Sequence, residues 1–400
     1  MPTSSDLLLD TARVLWPGEA PVRVTRRTRP PAGTADWMVL PRLGAPRWLL
    51  PTAAPTTAGA LAGQSSSLPR RVALGAVVAA HRRALPQRLP VRRLRVPETP
   101  DSLVAAVRGA LGAEVDVAVR LGSWQHARTV VLRVFSPDGS TLAFGKLGID
   151  DAGRAAVLAE TDALACVTAL GLRRVVHSRV LRHDAWRGLE LLLVTPLLAD
   201  GGPSHRVADE ESEPPLDAMR ELTGSAGART APLADSAWAE RTGERVARVA
   251  DPVLRGELGA HLGRLGRVAA PLSLGPSHGD WTAWNMTRDG ARVLLWDWEH
   301  FGTDVPAGFD PVHFLAQRLR VATGTGPPAE AAWQAQARAC LERDLGVRGP
   351  APDVVLAAYL LDVNLRFVLD RQGTPLAAAT REGWGLPLLR ALVTSLPGGS

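Results

Sequence analysis

The chain has 400 residues, of which 46% are apolar and 22% charged, with a formal net charge of +6. That apolar content excludes wholesale disorder, and at ~100–200 residues per domain the length suits two or three domains or one large two-lobed enzyme. No apolar run approaches the ~18–20 residues of a membrane span. The N-terminus carries Asp6 and Asp10 in place of a basic start, which argues against a secretory signal. Cys166 and Cys340 form neither a metal-ligand pattern nor a disulfide framework, so the expected compartment is the reducing cytoplasm.

The elements are predicted in chain order. Residues 1–98 read as a separate α+β region of open role. In it, Trp37–Leu40 and Arg47–Leu50 flank a PRLGAP turn as a hairpin, and 70–85 read as a helix. Residues 68–100 hold eight arginines and one acid, Glu98. With no interleaved aromatics and no binding motif, this is read as a solvated arginine-rich face, and no nucleic-acid partner is expected. Residues 99–198 read as α+β: a helix over Ser102–Leu111, strands over Asp116–Leu121, Thr129–Phe135 and Thr141–Leu147, a helix over Ala152–Leu170, then strands over Val175–Leu181 and Leu189–Thr195. Short connections favour antiparallel pairing. Residues 199–236, rich in Gly, Pro, Ser and acids, read as a linker or insertion. Residues 237–400 read as mainly helical. Asp251-Pro252 and Asp310-Pro311 are helix starts, with Asp310 as an N-cap, and Asp353–Gln372 reads as a buried helix.

The chemistry concentrates in Ser277–Glu299, SHGDWTAWNMTRDGARVLLWDWE. Met286–Thr287 and Arg292–Trp296 flank an RDG turn, which makes a tight hairpin with Asn285 at its entry and Asp297 at its exit. The two ends of a hairpin converge, with Asp280 on the preceding loop. Carboxylate and amide oxygens brought together suit Mg²⁺, which takes few ligands from protein and the rest from water and phosphate. Trp281, Trp284, Trp296 and Trp298 are expected to pack this hairpin.

A second signal is compositional. Of the 46 basic residues, Lys146 is the only lysine. A chain that uses arginine everywhere else keeps one compact ammonium where a guanidinium would not serve.

HGDWTAWN resembles the H-x-D-x-x-x-x-N catalytic loop of the protein-kinase-like fold, in the form found in the aminoglycoside phosphotransferase and choline kinase-like family. Asp297-Trp298-Glu299 is similar to that family's second metal-binding triplet. The resemblance covers roughly residues 100–380 and implies an α+β fold with a small antiparallel β lobe and a larger, mainly helical lobe. It implies Asp280 as catalytic base, Asn285 and Asp297 as Mg²⁺ ligands and His278 as a loop-holding residue. It also implies Lys146, on the third strand, as the phosphate-holding lysine paired with Glu160 on the next helix. Gly122 and Ser123, in the loop LGSWQHAR, stand where a phosphate-covering loop belongs, though the glycine pattern is thin. His126, in the same loop, reads as a surface histidine. Thr195 and Leu197 stand where a hinge would meet the nucleotide base. Trp298, Glu299 and His300 are structural or substrate-contacting.

The implied activity is transfer of the γ-phosphoryl of ATP or GTP to a hydroxyl of a small molecule such as an aminoglycoside, a sugar or an amino alcohol. The alternative is an inactive kinase-like module that binds a nucleotide or metabolite. Other routes are closed. Lys146 is followed by Leu147, which excludes a Walker A loop, and no dinucleotide fingerprint or H-E-x-x-H occurs. Thr282 stands where a protein kinase has lysine, and A-P-E is absent.

Overall fold

The structure, a computed structural model, describes residues 4–27, 29–40, 47–54, 57, 79–80, 83, 92–121, 129–197, 213–225, 227–268, 270–323, 327–349, 351–372 and 385–396. The helix expected over 70–85 (apart from Ala79, Ala80 and Arg83), Gly122, Ser123, His126 and the acids Asp209, Glu210 and Glu211 lie outside the described residues. The chain forms two compact units, residues 1–165 with 178–206, and residues 166–177 with 207–400.

The first unit begins with α1 (Ser4–Leu15), β1 (Arg23–Thr25), β2 (Thr34–Leu40), β3 (Trp48–Pro51), β4 (Arg93–Pro97) and α2 (Leu103–Leu111). It continues with β5 (Asp116–Leu121), β6 (Thr129–Phe135), β7 (Thr141–Gly148) and α3 (Asp151–Ala169). The short β8 (Val175–Val176) falls in the second unit, and the first resumes with β9 (Val180–Trp186) and β10 (Leu189–Val194). One nine-stranded sheet among the described residues has the order β1-β4-β2-β3-β5-β6-β7-β10-β9. Strands of the N-terminal region expected over 1–98 are thus hydrogen-bonded into it, joined through Trp48↔Arg120 and Leu49↔Val119. The pairings of β5, β6, β7, β10 and β9 are all antiparallel.

Local chemistry explains these elements. The Ser102 side chain caps α2 by accepting from Ala105 N at 3.3 Å, and Gly112 ends the helix in the left-handed region at φ 62°. In the SPDG turn between β6 and β7, the Asp138 carboxylate accepts from Ser140 N at 2.9 Å, and Gly139 takes the positive φ. Alternate residues of β7, Ala143, Gly145 and Leu147, are buried, while Phe144 and Lys146 on the other face are half-buried. Leu132, Val134, Leu147, Leu191 and Leu193 join Leu8, Leu15 and Trp37 in the core.

The strand expected over Val175–Leu181 divides in two. Val175 and Val176 pair in parallel with Val293 and Leu294 in the second unit, whereas β9 starts at Val180 and pairs with β10. The apolar run is continuous in sequence, but its halves find different partners, which local patterning does not encode.

The second unit comprises α4 (Leu216–Thr223), β11 (Arg229–Pro232), α5 (Ala237–Ala247), α6 (Pro252–Gly266), β12 (Pro271–Ser277), β13 (Met286–Asp289) and β14 (Arg292–Leu295). It ends with β15 (Gly302–Pro306), α7 (Phe309–Thr323), α8 (Pro327–Ala339), α9 (Ala351–Arg371) and α10 (Leu386–Ser395). The stretch expected as a linker therefore holds α4 and β11 in its described part, with Met219 and Leu222 buried on one helix face. The Asp251 carboxylate accepts from Val253 N and Leu254 N at 2.9 and 3.2 Å, with Pro252 at the first helical position of α6. Helix α9 is buried almost all round and forms the centre of this unit's core with Leu258, Leu265, Trp333, Leu341 and Leu389. No helix among the described residues is long and apolar enough to cross a membrane. An antiparallel sheet unit and a mainly helical unit make up the α+β architecture expected from the sequence.

Candidate active site

In the first unit, Lys146 Nζ lies 2.5 Å from Glu160 Oε2. Lys146 stands mid-strand on β7, opposite Val131 on β6 and Leu192 on β10. Glu160 is on α3, with its side chain 8% exposed against 19% for the lysine. Such a pair is stable only because each charge is compensated, and removing either partner would strand the other. Thr195, just past β10, accepts from Arg179 N at 2.9 Å through its hydroxyl, and Leu197 is buried.

In the second unit, β12 ends at Ser277 and the chain enters the HGDWTAWN loop. Three sets of contacts shape it. First, Asp310, the second residue of α7 and 2% exposed, accepts from Ser277 Oγ (3.0 Å), His278 N (2.9 Å) and Gly279 N (2.9 Å). The sequence predicts Asp310 as an N-cap; the helix instead begins one residue earlier, at Phe309, and the carboxylate turns to the loop. Second, Arg366 on α9 donates to Gly279 O at 3.0 Å. Arg366 is held by Asp362, which also pairs with Arg245 at 2.7 Å and accepts from Trp238 Nε1 at 3.3 Å. Third, Gly279 has φ 78°, and a Cβ there would run into the His300 carbonyl oxygen, so the middle position of H-G-D admits only glycine.

His278 is fully buried, with its ring edge-on to Trp298 (centroids 4.7 Å apart) and near Trp281. Nδ1 accepts from Asp280 N at 3.2 Å, which leaves Nε2 to donate to Trp296 O at 3.1 Å. Burial pushes the imidazole pKa down, against the pull of Asp310, Asp280 and Asp297, so the ring is neutral. Trp281 and Trp298 are 0% and 1% exposed and belong to this packing, whereas Trp284 is 39% exposed.

The Asp280 carboxylate sits between two partners. Oδ1 meets His313 Nε2 at 3.0 Å, and Oδ2 accepts from Asn285 Nδ2 at 2.8 Å. The same Asn285 nitrogen donates to Asp280 O at 3.0 Å, which fixes the amide nitrogen towards Asp280 and turns its oxygen away. Burial raises the Asp280 carboxyl, but the hydrogen bond from His313 and the charge of Arg366 outweigh it and hold the group well below the usual carboxylate range.

The hairpin has the register Met286↔Leu295, closed by Trp296 N donating to Asn285 O at 3.0 Å. Asn285 and Asp297 thus emerge from adjacent strand ends. Asp297 adopts φ 71°, ψ 59°, a left-handed conformation that costs a non-glycine residue ~1–2 kcal/mol and is typical of functional turns. Carboxylate oxygens of Asp297 and Glu299 lie within 4.8 Å of each other, and Glu299 is 3.7 Å from His300 Nε2. These donors are all oxygens, the chemistry a hard divalent cation requires.

The site residues predicted from sequence therefore fall into two groups. Lys146 and Glu160 meet in the first unit, and His278, Asp280, Asn285, Asp297, Trp298, Glu299 and His300 gather in the second. Asp310, His313, Tyr359, Asp362 and Arg366 were not anticipated there. Three of them were marked in the sequence: Tyr359, Asp362 and Arg366 recur at one-turn spacing in an otherwise apolar helix.

No protein-family model matches the sequence, and no curated protein matches it. Among solved structures, a fructosamine-3-kinase candidate from Thermobifida fusca aligns over 74% of this chain and 99% of its own, at 18% identity and TM-score 0.44. A spectinomycin phosphotransferase solved with ADP and spectinomycin aligns over 74% and 97%, at 10% identity and TM-score 0.41. A macrolide 2'-phosphotransferase from Brachybacterium faecium aligns over 72% and 97%, at 16% identity and TM-score 0.38. The antiparallel strand order, the helix between β7 and the next two strands of the sheet, and the Lys146–Glu160 pair are the features of the small lobe that the resemblance of the HGDWTAWN loop leads one to expect.

Proposed function

We propose that this chain is a small-molecule phosphotransferase that moves the γ-phosphoryl of ATP or GTP to a hydroxyl acceptor, with Asp280 as its base. The observation that carries this reading is the placement of the only lysine. In a chain with 45 arginines, Lys146 stands within 2.5 Å of a nearly buried glutamate. A compact, rotatable ammonium held this way suits a phosphate group that must be gripped and released, which the planar guanidinium fork does less well.

Each residue then has a part. The acceptor oxygen attacks the γ-phosphorus. The bond from phosphorus to the β,γ-bridging oxygen breaks, and its electron pair leaves on the nucleoside diphosphate. The hydroxyl proton passes to the Asp280 carboxylate. Positioning and electrostatics carry most of such a reaction. Lys146, steadied by Glu160, holds nucleotide phosphates, and His278 fixes the loop in its neutral form. Asn285 and Asp297 would hold Mg²⁺, with Glu299 in reach. When bound, Mg²⁺ supplies neutralisation of the phosphate charge. Thr195 and Leu197 are proposed to face the nucleotide base.

The test is ADP or GDP formation from the Mg²⁺ nucleotide with a panel of aminoglycosides, sugars and amino alcohols, water serving as the default acceptor. Asp280→Asn is expected to lose transfer by ~10²-fold or more while nucleotide binding is retained. Near-normal transfer by that variant would remove Asp280 from the role.

A further inference from the structure

The Asp280 contact to His313 leads further, on the premise that Asp280 is the base. His313 lies on α7, three residues after Asp310, so both project from the same helix face towards the loop. It is 4% exposed. Nε2 is 3.0 Å from Asp280 Oδ1, and Nδ1 is 3.0 Å from the hydroxyl of Tyr359 on α9. Tyr359 is the only tyrosine in the chain and is 3% exposed, packed against Phe309 and Trp333.

The donor order follows from these neighbours. A carboxylate offers only acceptors, so Nε2 carries the proton towards Asp280. Burial drives the tyrosine's ionisation to higher pH, so its hydroxyl keeps its proton and donates it to Nδ1. The chain of bonds runs Tyr359 O–H to His313 Nδ1, and His313 Nε2–H to Asp280 Oδ1. The other carboxylate oxygen is held by Asn285. Two donors on two different oxygens define the plane of the carboxylate, whereas Asn285 alone would leave it free to turn about its Cβ–Cγ bond.

We infer that His313, set in its Nε2–H tautomer by Tyr359, is a positioning residue that aims the Asp280 carboxylate at the acceptor hydroxyl. It is not a terminal proton acceptor, because its Nε2 already carries a proton and the tyrosine beyond it is a poor acid.

The experiment combines kinetics with ¹⁵N NMR of histidine-labelled enzyme. The chain has nine histidines, and the His313 signal is the one that vanishes in His313→Gln. That signal is expected to show a protonated Nε2 and an unprotonated Nδ1, and to move in Asp280→Ala and in Tyr359→Phe. With Mg·ATP and the hydroxyl panel, His313→Ala is expected to lower kcat about 100-fold, the scale of a small misplacement of a reacting group. The nucleotide dissociation constant should stay within about twofold. His313→Gln retains an N–H donor of the same reach and is expected to recover at least tenfold of that loss, which a purely structural role would not give. The inference alone is overturned if the wild type transfers phosphate and His313→Ala keeps its kcat, if Gln rescues no better than Ala, or if His313 carries its proton on Nδ1. A folded wild type that neither binds nor consumes nucleotide overturns the functional reading and the inference with it.

Discussion

Replacing Asp310 tests how the loop is held. Its Oδ1 accepts from Ser277 Oγ and Gly279 N, and its Oδ2 from His278 N, all within 3.0 Å, with Ser277 and His278 buried and Gly279 half-buried. Asp310→Ala strands two backbone N–H groups, one buried and one half-buried, at ~1–3 kcal/mol each, while the Ser277 hydroxyl can rotate to another partner, so the expected loss is about 4 kcal/mol. Asp310→Asn can keep its oxygen where Oδ1 sits and place its amide nitrogen opposite the His278 N–H. One donor is then stranded rather than two, and the loss should be about half as large. For a unit of some 200 residues, a loss of about 4 kcal/mol is a drop in Tm on the order of 10 °C. Trp281 and Trp298 are buried beside this loop and report its unfolding by fluorescence in urea. The reasoning fails if Asp310→Ala unfolds within 0.5 kcal/mol of wild type, or if the asparagine costs as much as the alanine.

Other outcomes follow from the same geometry. Gly279→Ala meets both the His300 carbonyl and the left-handed φ; it should destabilise by at least ~1–2 kcal/mol and lower transfer, and a variant with wild-type stability and rate would refute that backbone reading. Lys146→Arg keeps the charge but not the compact ammonium, so transfer should fall while the protein stays folded, and an unchanged rate would make the lone lysine an accident. For Asp362, burial raises the carboxyl, but Arg245 and Arg366, with hydrogen bonds from Arg245 and Trp238, hold it below its ordinary value. A depressed folded value contributes stability above the unfolded value near ~3.9 and loses it as pH falls further. The stability gap between wild type and Asp362→Asn should therefore be constant from about pH 7 to 5 and shrink below about pH 4; a gap that stays constant through the acid limb would contradict the assignment.

The sequence made the local features of this molecule legible and left its long-range ones hidden. Strands over Asp116–Leu121 and Thr129–Phe135 have the bounds that alternation and the SPDG turn suggest, because both signals act within a few residues. The same holds for the RDG hairpin that carries Asn285 and Asp297. The division of Val175–Leu181 between two sheets depends on Val293 and Leu294, more than a hundred residues on. Asp310 looked like a cap because Asp-Pro is a helix start, and only the fold shows that the loop's N–H groups claim its carboxylate. Tyr359, Asp362 and Arg366 are polar breaks on one face of an apolar helix. Their spacing was visible, but the groups they hold, Gly279 and Asp280 through His313, come from distant segments.

The most direct measurement of the central claim is thermal stabilisation by Mg·ATP and Mg·GTP, with Lys146→Ala and Asp297→Ala alongside. A ligand bound only by the native state at 100 times its dissociation constant adds ~2.7 kcal/mol. The account predicts a Mg²⁺-dependent rise in Tm with at least one nucleotide, lost in both variants. No shift in a folded wild type, or an equal shift in all three proteins, would contradict it.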